Sequence, residues 1–215
     1  MSDRIGAVLK AVVIALAAWF AVDRLLPSIP LSFIAHETAP FPNALKEPVQ
    51  GERSGEAFSE TRRGRSFRLI PQASYDVAAR VASTERYRAG LSGDLLPWDF
   101  VLTWGAATRG PAWSHISYIQ TGRFYNWSTH DLALDPAYVS SHTANTHLIA
   151  ATGSIASVLG LVHRGDVVRL EGDLVDVDGP DGFIWKTSLT RTDTGPGACE
   201  TLYVRAITIG TRRYR

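Results

Sequence analysis

The chain has 215 residues, 45% hydrophobic and 20% charged, enough to bury one core, so one globular domain with attachments is expected. Its 22 Lys and Arg against 21 Asp and Glu leave a formal charge of +1, without the basic excess that a phosphate-binding surface needs, so nucleic acid is not an expected partner. The single cysteine, Cys199, excludes an internal disulfide and argues against a cysteine-ligated metal site.

Ala11–Val22 is an unbroken apolar run behind Arg4 and Lys10. With Lys10 snorkelling, the apolar stretch extends over residues 5–26 and is long enough to span a bilayer. Small-x-small triplets such as Ala15-Leu16-Ala17 lie inside the run, where cleavage is poorly placed. Residues 1–26 are therefore expected to be a transmembrane signal-anchor, with a cleaved signal as the alternative. The leading positive charges put the rest of the chain outside the cytoplasm, in the periplasm. Residues 27–66, with Pro27, Pro30, Pro40, Pro42 and Pro48, read as an extended linker, and residues 67–215 as a β-rich domain.

Short strands are expected from Phe67 onward. Ser74–Val81 alternates Tyr75, Val77, Ala79 and Val81 with polar or small residues; Phe100–Trp104 follows a Pro97-Trp98-Asp99 turn; Ile116–Ile119, Gly122–Trp127, Thr146–Ala150 and Glu200–Ile209 complete the set. Asp135-Pro136 reads as an N-cap with Pro at the first helical position, and Ser154 as the cap of a short helix over Ile155–Leu161. The clearest stretch is Gly165–Leu189. Val168, Leu170 and Leu174 share one face, and the phase then slips, since Val175 and Val177 are apolar on the other. Gly172 is placed to let this strand curve, Asp178–Gly182 to turn, and a return strand to put Phe183, Trp185, Thr187 and Leu189 on one face. A long curved hairpin of this kind favours an all-β fold with short helices, an OB-like small β-barrel, preceded by the transmembrane helix. A curved meander in another all-β domain is the alternative.

Three stretches, NTHLIAA (Asn145–Ala151), GDVVRLEGDLV (Gly165–Val175) and WKTSLTRTDTGPGACE (Trp185–Glu200), resemble an uncharacterised family of bacterial proteins with one N-terminal membrane segment and a β-rich, OB-like domain. The resemblance implies a shared fold and an envelope location. It implies no activity, so no functional residue is carried over.

The residues that could carry chemistry are few. Cys199 follows a Gly/Pro-rich loop, and a thiol beside His142 or His147 could act as a nucleophile, although packing is its commoner role. His142, Asn145 and His147 crowd together, with His115, His130, Asp131 and Asp135 as further ligands to weigh, yet the spacing matches no metal motif, so no metal or cofactor is expected. Aromatic residues concentrate between Trp98 and Trp127, and of these Trp113, Tyr125 and Trp127, with Arg123, are the candidates for stacking and orienting a ligand. The carboxylates of the central hairpin (Asp166, Glu171, Asp173, Asp176, Asp178, Asp181) read as a solvated face. The expectation is a membrane-anchored envelope protein with an OB-like binding or assembly domain, partnered by the membrane through residues 5–26 and by another envelope protein. The alternative is a small envelope hydrolase using Cys199 with a histidine, or a histidine-based metal.

Overall fold

The structure, a computed structural model, describes residues 34–53, 55–193 and 195–215; the membrane segment expected over residues 1–26 lies outside them. Among the described residues no helix is long and apolar enough to cross a membrane. The elements are β1 (Glu37–Thr38), β2 (Val49–Gln50), β3 (Phe58–Arg62), β4 (Arg65–Arg86), α1 (Gly90–Leu95), β5 (Trp98–Thr103), α2 (Gly110–His115), β6 (Ile116–Thr121), β7 (Phe124–Thr129), α3 (Pro136–Ser141), β8 (Thr143–Ala150), α4 (Gly153–Leu159), β9 (Val167–Asp178), β10 (Ile184–Trp185), β11 (Glu200–Ile209) and β12 (Arg212–Tyr214). The fold is mostly β-sheet with short helices.

The strands β6 and β7 form a hairpin sheet of their own, and the others belong to one 10-stranded sheet. Within it β4 pairs with β5, β5 with β8, β8 with β11, β11 with β9, and β9 again with β4. Only the β8–β11 step is parallel. Strands β2 and β3 are laid on β4, and β1 on β12, as short additions to this circuit.

The long pairing of β4 with β9 explains the phase slip in the sequence. Leu170 and Leu174 of β9 face the same side as Val77 and Ala73 of β4, while Val175 and Val177 face the opposite side with Pro71 and Leu69. An extra residue in β4, Gln72, absorbs the change, so β4 keeps odd-numbered residues buried from Phe67 to Val81 while its buried face switches. Beyond the switch, Phe67, Leu69, Val175 and Val177 form a separate core with Leu95 of α1, Leu96 just after it, Ile149 and Tyr203.

Several expectations are corrected. The expected linker over 27–66 joins the sheet well before Phe67, because β3 pairs along the start of β4 and β2 along its middle. Ser74–Val81 is part of one 22-residue strand, not a short one. The Trp98-Asp99 turn is the start of β5. Helix α4 is capped by Thr152, whose hydroxyl accepts from the Ile155 N–H at 3.2 Å, rather than by Ser154, whereas Asp135 caps α3 as expected. The return strand of the central hairpin is only Ile184–Trp185, and Leu189 is exposed. Carboxylates on β9 are not all solvated: Asp173 is buried and accepts from Arg205 Nε at 2.6 Å.

Gly172 sits where β9 is flanked by both partners, opposite Tyr75 of β4 and Val204 of β11. The irregularity lies in β11, where Arg205 is the extra residue, and it drives the Tyr203 carbonyl against Gly172. A Cβ at 172 would overlap that carbonyl. Gly172→Ala is therefore expected to destabilise the fold by about 1–3 kcal/mol or more, read by chemical denaturation. An unchanged midpoint would show that the strand crossing is looser than described.

Candidate functional site

The hairpin β6–β7 lies over the outer face of β5 and β8, and polar contacts hold it there. Its turn places Gly122 and Arg123 both at positive φ, 58° and 74°. Glycine tolerates that conformation, and Arg123 is held in it by its surroundings: its N–H donates to the Tyr87 hydroxyl at 3.0 Å, its carbonyl accepts from Asn145 Nδ2 at 3.0 Å, and its guanidinium stacks 3.7 Å from the Tyr87 ring centroid. The same guanidinium donates to Asp99 Oδ1 at 2.8 Å and to the Leu96 carbonyl at 2.7 Å. Asp99 is fully buried. Gln120 donates to Asn145 Oδ1 at 2.9 Å, and the Tyr125 hydroxyl to the Thr143 carbonyl at 3.0 Å.

Between this hairpin and the loop preceding β11 runs a groove of about 680 Å³. One wall is Phe124–Trp127, a second is Thr143–Asn145, and the third is the loop carrying Arg191, Asp193, Pro196 and Cys199, with Glu200 at its base. Ser188 Oγ donates to Asp193 Oδ2 at 2.7 Å, and Gly195 and Gly197 take positive φ of 85° and 89°, so the loop's turn depends on residues without a Cβ. A smaller cavity of about 220 Å³, lined by His147, Trp185 and Arg123, shares Phe124, Pro196 and Cys199 with the groove.

The expected site residues fall into two groups. Arg123, Tyr125, Trp127, His147 and Cys199 are brought together around these two cavities. His142 is not: it follows α3, stacks on Tyr138 at 3.7 Å between centroids, and has Nε2 3.0 Å from Glu47 Oε1. Trp113 lies on α2, with Arg80 at 3.8 Å and Arg164 at 5.7 Å from its ring. His115 pairs with Asp131 at 2.7 Å at a different surface. Among the described residues no group of three or more His, Cys, Asp or Glu is placed to hold a metal. Trp185 packs edge-on against His147 at 4.9 Å and donates to Thr201 Oγ1 at 3.0 Å.

Three site residues are not legible as such in the sequence: Asp99, Phe124 and Glu200. For Asp99 and Glu200 the signal available was a lone carboxylate, within WDFVLTW and at the head of ETLYV, and for Phe124 its place in the aromatic stretch Trp98–Trp127. Burial shapes the chemistry here. It pushes the Cys199 thiol up to about 11, with the Asn145 side chain opposing it. The sulfur's neighbours are Asn145 Nδ2 at 3.7 Å and the Arg123 carbonyl at 3.9 Å. Burial likewise pushes Glu200 up to about 8, against the pull of its own backbone N–H and of Arg191, and its Oε2 has no hydrogen-bond partner among the described residues. His147 Nδ1 lies 2.8 Å from Asp99 Oδ1 but outside hydrogen-bond geometry.

Comparisons with protein-family models, with curated proteins and with solved structures find no match.

Two measurements check this electrostatic description. Removing Arg123 leaves Asp99 a buried charge without its cation, so Arg123→Leu is expected to cost about 3–5 kcal/mol in chemical denaturation, and Asp99→Asn added to it to recover part of that loss. Equal stability of the single and double variants would show that the pair does not seat the hairpin. Glu200 holds its proton more tightly folded (about 8) than at its ordinary 4.5, so its contribution to stability is complete below 4.5 and is lost as pH rises through 8. Glu200→Gln is expected to flatten that decline in thermal melts between those pH values, and an unchanged slope would place the titrating group elsewhere.

Proposed function

We propose that the chain is a membrane-anchored envelope protein whose OB-like β-barrel is a binding or assembly module, with its ligand seated in the groove between the β6–β7 hairpin and the loop preceding β11. The apolar run Ala11–Val22 and the resemblance of three stretches to bacterial proteins with one membrane segment support the anchor and the envelope location. The circuit of pairings supports the barrel type. In it, the strands in chain order lie as first, second, third, fifth and fourth, with α4 between the third and fourth. That arrangement is a Greek-key barrel whose second and third strands and fourth-to-fifth loop are the usual recognition surface. Here the hairpin covers much of the face of β5 and β8, so recognition moves to its rim. The observation that carries the reading is the groove itself: about 680 Å³, with Phe124, Tyr125 and Trp127 along one side and the fourth-to-fifth loop along the other.

A hydrolase remains the second reading because Cys199 and His147 line one cavity and Asp99 stands behind the imidazole. Against it stands the thiol, pushed up to about 11 with an amide and a carbonyl as neighbours, where a nucleophile needs a depressed value.

Isotope-labelled full chain screened by NMR against small-molecule fragments separates the two. Binding predicts amide shifts confined to residues 124–127, 143–145 and 195–200, the same in Cys199→Ser, and alkylation of the folded wild type at neutral pH at least about tenfold slower than that of a free thiol. Rapid alkylation, with ester or thioester hydrolysis lost in Cys199→Ser, would replace the binding reading with the catalytic one.

A further inference from the structure

We propose that the groove takes an extended peptide segment of another protein, which adds as a strand to the unpaired edges of β7 and of the first residues of β8. The proposal rests on the reading that this groove is the binding site, and it names the class of ligand. Alternate side chains of a strand point to opposite faces, so a cavity that touches only a face meets every second residue. This groove is bordered by unbroken runs, Phe124–Trp127 and Thr143–Asn145. It therefore follows strand edges, where main-chain N–H and C=O groups are presented.

Among the described residues, both edges lack a strand on the groove side. Strand β7 pairs with β6 and with no other described strand. The ladder between β8 and β11 begins at Thr146 and Glu200, so the start of β8 is paired with a strand, β5, on one side, while on the other the Thr143 carbonyl accepts only from the Tyr125 hydroxyl among the described residues. The composition of β7 agrees. Free edges are ordinarily blunted by charge or proline, and FYNWST has neither.

Beneath the groove lie polar groups without a hydrogen-bond partner. Glu200 is 2% exposed with Oε2 unpartnered, and Arg191 Nε is buried and unpartnered, both among the described residues and both lining the groove. A bound strand would send alternate side chains against Trp127 and Tyr125 on one side and towards solvent on the other, the usual division between main-chain affinity and side-chain specificity. The acidic and basic groups of the groove, Asp193 and Glu200 with Arg191, give no surplus of positive charge for a phosphate backbone.

The test is selection of random linear peptides displayed on phage against the full chain, followed by synthesis of the enriched peptides with one backbone nitrogen methylated at a time. Strand addition predicts that methylation weakens binding about tenfold or more at alternate positions and leaves the intervening ones unchanged. It also predicts that amide exchange slows at least about tenfold within 124–127 and 143–145 on binding. No enrichment, indifference to methylation at every position, or a concentration-dependent dimer that occupies these edges instead would overturn the proposal. A saccharide or fragment bound in the groove in place of any peptide would also overturn it while leaving the binding reading intact; that reading fails only if ligands ignore the groove.

Discussion

The constraint on which this structure depends is that β4 and β9 stay paired along their length while exchanging the face they bury. A strand has one side chain per residue on alternating sides, so two cores on opposite faces demand either a break or an extra residue. Gln72 supplies the extra residue in β4, and β9 meets the change with Leu174 and Val175 in succession, both fully buried. One face of the pair then buries Val77, Val168 and Leu170, and the other presents a second core, with Phe67, Leu69 and Val177, to Leu95 of α1. Gly172 and the irregularity at Arg205 do the corresponding work between β9 and β11.

The site follows from the way the β6–β7 hairpin is seated on this frame. Its contacts with β5 and β8 are directional: the Arg123 guanidinium on Asp99, Gln120 on Asn145, the Tyr125 hydroxyl on the Thr143 carbonyl. Apolar packing would tolerate a slide of the hairpin across the sheet. Hydrogen bonds and a buried ion pair fix its register, at the desolvation cost that such groups carry. The groove is what remains between a hairpin fixed in this way and the loop that returns the chain to β11.

Burial also sets the character of the groups in and beside the groove. The same loss of water that keeps the Cys199 thiol protonated keeps a proton on Glu200 over much of the neutral range. A neutral carboxyl both donates and accepts, and a protonated thiol is a small apolar group. Three aromatic residues, Phe124, Tyr125 and Trp127, form the opposite wall.

The sequence by itself determined the local structure. The residue pattern marked strand within β4, β5, β6, β7, β8, β9 and β11 without giving their ends, Asp135-Pro136 located α3, and the apolar slip at Val175 marked where β9 has both faces covered. It also marked Arg123, Tyr125 and Trp127 as residues to watch, because aromatic and planar cationic side chains interleaved on short strands are seldom all used as core. Tertiary structure alone decided the rest. The extra residue Gln72 leaves the alternation of β4 unbroken in the sequence, so the face switch is visible only in the pairing. Asp99 and Glu200 look like the solvated carboxylates of β9 until distant strands enclose them, and His142 and Trp113 look like site residues until the fold carries them elsewhere. Periodicity reports which side of its own strand a residue occupies, whereas a site is made by residues far apart in the chain, and no local pattern encodes what the opposite strand will bring.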